Sequence, residues 1–291
     1  AMPLRALAAL SVFALPALAG CGELSSTEAS AEAPIYGGRV EDEGTLVARS
    51  TLALFSGADA DTGYALVDGS ATLIAPNIAV GAAHTCLKFR PRFASFGPQM
   101  PVAEPYGSFA DARRYPRVRP VVRCVAHPGY DDTAASREDH ASRPVHDIAV
   151  FFLAGTPAGV APVKLLARDA ELPREITLAG FGAYEDQFDR WWEGMKPYAL
   201  RRVDTFVGEE YPASYQFRDG PIQGKGSCQG DSGGSVYVRI TDATPELVLA
   251  GIPVSGPACD EGIGYNTDIR DHLGWLESTA GQTLRVARSL P

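Results

Sequence analysis

Eleven short runs of alternating, β-branched or aromatic residues, each closed by turn residues, run along this chain and set its fold class. Six come first: Ser50–Phe55, Ala65–Val67, Ala71–Ile74, Ile78–Ala82, Val121–Ala126 and Asp147–Leu153. Five more follow: Glu175–Gly180, Leu200–Val207, Ser235–Ile240, Leu247–Val254 and Gly264–Ile269. Their spacing is that of antiparallel barrels, and 30 glycines and 22 prolines suit so many turns. The stretch Ala154–Pro173, which contains Pro and Gly, reads as the division between two barrels. Lys88–Pro120, rich in Pro and Arg, and the charged Asp131–Pro144 read as surface loops. Arg270–Ser278, with Leu273, Trp275 and Leu276, reads as a short C-terminal helix. No internal repeat is visible.

With 291 residues, 45% of them hydrophobic, the chain can bury a substantial core. Its formal net charge of −9 argues against nucleic acid as a partner, since that needs a basic face. Arg5 followed by the apolar run Ala6–Leu18 has the form of an export signal and is too short for a permanent membrane span. Leu18-Ala19-Gly20-Cys21 resembles the bacterial lipobox, in which the cysteine is lipidated and becomes the new N-terminus. An ordinary signal peptide with an incidental cysteine is the alternative. The expectation is a signal over 1–21, a tether or propeptide over 22–34, and an exported lipoprotein. Its contact with the outer or cell membrane is through the lipid anchor alone, with release to the extracellular space if the tether is cut. Of the five cysteines, lipid on Cys21 leaves four, an even number suited to an oxidising compartment; four allow three pairings.

Gly230-Asp231-Ser232-Gly233-Gly234 has the residues that acyl transfer requires. A serine on a tight turn presents its hydroxyl, and nearby backbone N–H groups are free to face an oxygen that becomes negative. Glycine permits both the turn and a close substrate backbone. His84 ends the run Ala82-Ala83-His84, and Asp147 opens the strand-like Asp147-Ile148-Ala149-Val150. Singly, each has a plainer reading, as a structural histidine, an edge carboxylate and a turn serine. The remaining histidines, His127, His140, His146 and His272, read as structural. No pair of them has zinc-site spacing with a supporting acid or cysteine, so neither metal nor cofactor is expected. Trp191, Trp192 and Tyr198 read either as a substrate rim or as a small cluster packed under their own loop.

Taken together, the chain order His, Asp, Ser and the segments around it resemble the chymotrypsin/trypsin-like serine proteases, from Ile35 to about Glu277. Ile35-Tyr36-Gly37-Gly38 is similar to the family's mature N-terminus. Gly69-Ser70-Ala71-Thr72-Leu73-Ile74 is similar to the strand before its histidine loop, and Ala179-Gly180-Phe181-Gly182 to the entry into its second barrel. Tyr265-Asn266-Thr267-Asp268-Ile269 and Leu273-Gly274-Trp275-Leu276 are similar to its last strand and C-terminal helix.

The resemblance implies an all-β fold of two six-stranded antiparallel β-barrels with a short C-terminal helix. The first barrel would span 35–165, the second with the helix 166–280, and a tail 281–291. It implies a serine endopeptidase with protein or peptide substrates, and a monomer is expected. His84 would be the base, Asp147 its orienting group, and Ser232 the nucleophile, with the N–H groups of Gly230 and Ser232 as oxyanion donors. Gly226 and Gly256 would line the S1 pocket. An Asp stands at the position of Gly226 in trypsin-like enzymes, so an uncharged P1 residue is expected unless Asp260 or Glu261 restores the charge. Cleavage before Ile35 would free an ammonium to pair with Asp231. Pro34 stands where a trypsin-like activator would want Arg or Lys, so the cut must come from a different protease, or the precursor is active without it. The implied disulfides are Cys228–Cys259 and Cys86–Cys124, with two free thiols as the alternative for the latter pair. A non-catalytic binding protein and an esterase on the same scaffold are the competing functions.

Overall fold

The computed structural model describes residues 35, 38–60, 63–103, 109–111, 113–132, 145–182, 199–211, 215–222, 225–240, 246–256 and 261–288. After β1 (Arg39–Val40) comes a short helix, α1 (Leu46–Ser50), started by the Thr45 side chain accepting from Ala48 N–H. Six strands follow: β2 (Thr51–Ala58), β3 (Ala65–Ala75), β4 (Ile78–Gly81), β5 (Phe93–Phe96), β6 (Val118–Ala126) and β7 (Ala149–Leu153). They close in the order β2-β3-β4-β7-β6-β5, with β5 pairing back onto β2. β8 (Lys164–Leu166) leads to the second set: β9 (Glu175–Gly180), β10 (Arg201–Tyr211), β11 (Gln216–Asp219), β12 (Ser235–Ile240), β13 (Glu246–Ser255) and β14 (Gly264–Asp268). This set runs β12-β9-β10-β11-β14-β13, and β13 pairs with β12 to close it. Both barrels are antiparallel, as the sequence leads one to expect. A 3₁₀ turn (Arg270–His272), α2 (Leu273–Ala280) and β15 (Val286–Ala287) complete the described chain.

Strand alternation decides which side chains fill each barrel and which join the two. Leu52 and Leu54 of β2 pack inside the first barrel with Leu73, Ala79, Phe96 and Phe151. Val236 and Val238 of β12 pack inside the second with Leu178, Val203, Phe217 and Val248. The intervening residues, Ala53 and Phe55 on β2 and Tyr237 on β12, belong to a third cluster that joins the barrels. Strands such as β2 are therefore buried on both faces, and read in sequence as near-continuous apolar runs. The joint also has a polar seam. Ser235 Oγ lies 2.9 Å from Thr51 Oγ1 and 2.6 Å from Thr72 Oγ1, and Tyr237 Oη lies 2.7 Å from Ser50 Oγ.

Several expectations need correction. Ala65–Val67 and Ala71–Ile74 are one strand, β3, whose register against β2 shifts at irregularities near Phe55. Gly69 inside it is required, because a Cβ there would stand 2.8 Å from Thr85 Oγ1 and 3.1 Å from Ser232 O. Lys88–Pro120 is not all surface loop. It contains the buried β5, and its Phe109 packs edge-on to Phe55 at 5.0 Å. Flanking Arg90, Pro91, Arg92 and Pro98 hide this four-residue strand. Ala154–Pro173 contains β8, which runs parallel to β13, and the tail contains β15, parallel to β8. β11 was not foreseen, since Arg218 and Asp219 break its apolar character. The expected roles of Cys21, His140, Trp191, Trp192 and Tyr198 fall on residues outside those described.

Candidate active site

His84 follows β4 by way of Ala82 and Ala83, both fully buried, so the end of an apolar strand fixes its backbone. Asp147 is also fully buried, just before β7, which pairs with β4 through Gly81↔Ala149. That pairing brings the two residues together. His84 N–H donates to Asp147 Oδ1 at 2.9 Å, and Nδ1 lies 2.7 Å from Oδ2. A carboxylate facing Nδ1 holds the proton there in the neutral imidazole and leaves Nε2 bare, as a base requires. Thr267 Oγ1 on β14 donates to the Asp147 backbone carbonyl at 3.1 Å, tying the aspartate to the second barrel.

Ser232 stands on the turn before β12. Its carbonyl accepts from Ser70 N–H at 2.9 Å, and Gly233 N–H donates to Pro253 O at 2.7 Å. Gly233 has φ +84, and a Cβ there would lie 2.4 Å from Ser70 O and 2.7 Å from Ala82 N. Only glycine lets the serine turn seat against the strand end that leads to His84. Among the described residues no hydrogen bond joins Ser232 Oγ to the imidazole; such bonds are often loose without substrate. Around the serine, Asp231, Gly233 and Gly234 all spend their N–H groups on backbone carbonyls, whereas the N–H groups of Gly230 and Ser232 make no backbone bond among the described residues. Two donors thus stay available on either side of Asp231.

Ser70 was not singled out in sequence, yet it holds this turn. Its Oγ donates to Gly230 O at 2.9 Å and accepts from Phe181 N–H at 3.0 Å. Its polarity at the head of the run Ala71–Ile74 was the one available hint. Asp231 is fully buried. Its carboxylate accepts from Gly182 N–H at 2.7 Å and Cys228 N–H at 2.8 Å. Burial pushes its pKa up to about 7 against these bonds and a further one from the Ile35 backbone. Ile35 itself has no exposed surface.

A histidine trio lies behind the aspartate. His146, immediately before Asp147, has φ +52 and stacks on His127 at 4.4 Å and on Tyr215 at 4.2 Å. Its Nδ1 is 3.0 Å from His272 Nε2, and His272 Nδ1 is 2.7 Å from Asp268 O. The carbonyl fixes a proton on His272 Nδ1, so His272 Nε2 accepts and His146 Nδ1 donates. Trp275 of α2 packs edge-on to His127 at 4.8 Å. Burial lowers the pKa of each ring, that of His127 and of His272 to about 4. Sequence spacing showed none of this, because the three rings meet only through the fold.

Gly226 precedes Ser227 and Cys228, and a Cβ on it would lie 3.1 Å from Gly262 Cα. Gly256 follows β13, where a Cβ would be 2.8 Å from Ile263 O. Cys86 and Cys124 form a disulfide between the helical turn Thr85–Phe89 and β6. Cys228 is disulfide-bonded; its expected partner Cys259, like Asp260, lies outside the described residues. Glu261 is exposed.

A family model described as Trypsin matches residues 66–276. A protein named Trypsin-1 from Astacus astacus is 28% identical over 151 residues, which are 46% of this chain and 60% of that relative. The chain therefore matches less than two thirds of the relative's length.

Proposed function

The chain belongs to the trypsin family, and from that premise we propose that it is a serine endopeptidase acting on proteins or peptides through Ser232, His84 and Asp147. The observation that carries the proposal is the buried Asp147 holding both the backbone and Nδ1 of His84 beside the serine turn. Ser232 Oγ attacks the scissile carbonyl carbon while its proton passes to His84 Nε2. The carbonyl oxygen becomes negative and is met by the N–H groups of Gly230 and Ser232; one such donor is typically worth about 10²–10³ in rate. The C–N bond then breaks, and the amine leaves with the proton from His84. Water, deprotonated by the same imidazole, attacks the acyl-enzyme ester, releasing the acid and restoring Ser232. Gly226 and Gly256 line the P1 pocket, and position 226 by itself brings no charge.

Activation is part of the same proposal. Cleavage before Ile35 frees an ammonium beside Asp231, and the pair orders the serine turn. The buried Ile35 and its bond to Asp231 support this. Removing one partner of a buried ion pair costs about 3–5 kcal/mol. Protein beginning at Ile35 is expected to be more active than protein carrying Gly22–Pro34, and Asp231→Asn to abolish the difference; equal activity of the two forms would exclude the switch. The Cys86–Cys124 disulfide supports export, and lipid on Cys21 would hold the precursor at a membrane until the cut.

A fluorophosphonate probe tests the function directly. Labelling of wild-type protein at Ser232, together with peptide hydrolysis, is the expected result. Absence of labelling would favour a non-catalytic binding protein, and labelling with ester but not peptide hydrolysis an esterase.

A further inference from the structure

Both hydrogen bonds to the Asp147 carboxylate come from His84, one from its backbone N–H and one from Nδ1. No third group donates to the carboxylate among the described residues, so its aim depends on the backbone to either side. Thr267 Oγ1 holds the Asp147 carbonyl. The buried Ile148 is fixed by its own carbonyl, which accepts from His127 N–H at 2.9 Å. On the other side stands His146. Its carbonyl accepts from Ile148 N–H at 2.7 Å, closing a three-residue turn centred on Asp147.

His146 forms that turn from an unfavourable backbone. Its φ of +52 lies in the left-handed region, where a bulky residue persists only when its surroundings fix it. Here they fix the ring. It lies between His127 and Tyr215, with centroids 4.4 and 4.2 Å away and planes tilted by 24° and 27°. Gly129 passes its edge so closely that a Cβ would stand 2.9 Å from His146 Cδ2. Stacking leaves a ring free to slide in its own plane; a directional bond stops it. That bond runs from His146 Nδ1 to His272 Nε2 at 3.0 Å, and His272 is itself oriented by Nδ1 donating to Asp268 O at 2.7 Å. Asp268 N–H also donates to Tyr215 O at 2.9 Å. β14 therefore reaches Asp147 twice: Thr267 bonds its carbonyl, and Asp268 acts through His272 on the residue before it.

We propose that His146 and His272 are positioning residues for Asp147, and that the hydrogen bond between them sets the backbone that aims its carboxylate at His84. This rests on the reading of His84 as the base and Asp147 as its orienting group, and it adds the device that keeps the two in register. Packing alone would be served as well by aliphatic side chains at both positions. A hydrogen bond makes a different demand, a donor at 146 and an acceptor at 272.

The test compares leucine with an amide at each position. His146→Asn keeps a donor near the place of Nδ1 and tolerates a positive φ, and His272→Gln keeps an acceptor near that of Nε2; leucine keeps bulk and offers neither. His272 has φ −105, so its two variants test the bond apart from backbone strain. For each variant kcat and KM on a peptide substrate are measured, with thermal unfolding, fluorophosphonate labelling and the proton NMR signal of His84 Nδ1–H, which a facing carboxylate moves downfield. His146→Leu and His272→Leu are expected to lower kcat by about 10- to 100-fold with KM nearly unchanged, and to move the signal upfield. The amide variants are expected to keep most of kcat and the downfield signal. Two leucine variants remove the same bond, so either one with a cooperative unfolding transition decides. Wild-type kcat and signal in a folded leucine variant would overturn the inference. Equal losses in His272→Leu and His272→Gln would overturn it too, since ring shape and not the bond would then hold the turn. If wild type does not label, the proposed function fails, and the Nδ1 signal still decides: moved by leucine and kept by the amides, it sustains the positioning role; unmoved by leucine, it overturns it.

Discussion

Ser70 makes three hydrogen bonds that join the first barrel to the serine turn, to Ser232 O, Gly230 O and Phe181 N–H. Ser70→Ala keeps the first and orphans the other two groups. An unpaired buried polar group costs about 1–3 kcal/mol, so a fall of that order in unfolding free energy is expected from denaturant titration. Misplacing the proposed oxyanion donors should also lower kcat/KM by about 10- to 100-fold. Unchanged activity would show that the turn is held without Ser70. At this scale sequence was most informative where chemistry and backbone geometry coincide, as in the glycines around Ser232. It was least informative where a residue acts through a distant strand.

Pairing between elements also builds the histidine trio. His127 follows β6, His146 precedes β7 and His272 precedes α2, so each was legible only as a lone structural histidine. Folded, their pKa values lie below the ordinary value of 6.5, those of His127 and His272 at about 4. The unfolded chain therefore binds more protons than the folded chain between about pH 6.5 and 4. Their contribution to stability is fully present above pH 6.5 and is lost as pH falls through that window. Asp231 and Asp219, with raised values, act in the opposite sense, so the histidine effect is best read as a difference. Thermal unfolding of wild type and His272→Gln between pH 4 and 7.5 should show a shallower acid loss in the variant. Parallel curves would remove the trio from the linkage. The strands themselves were legible where they were rich in β-branched and aromatic residues, as in β7 and β12. They were hidden where Pro and Arg flank a short one, as in β5, or where a polar residue is turned inward, as in β11.

The molecule as a whole sets His84 and Asp147 on the first barrel and Ser232 on the second. The proposed site depends on the joint between barrels that Ala53, Phe55, Tyr237 and their neighbours bury. The barrel pair was foreseeable from strand spacing and the ordered motifs; the contacts that lock it, such as Thr51, Thr72 and Ser235, depend on long-range packing that no local pattern encodes. If the proposed triad acts as a unit, its residues do not contribute independently to rate. The most direct measurement is kcat/KM on a peptide substrate for protein beginning at Ile35 and for Ser232→Ala, His84→Ala and the double variant. Each single change is expected to cost several orders of magnitude, about 10⁴–10⁶, and the double change little more than either. Full activity in Ser232→Ala, or losses that multiply in the double variant, would contradict the shared role of these residues.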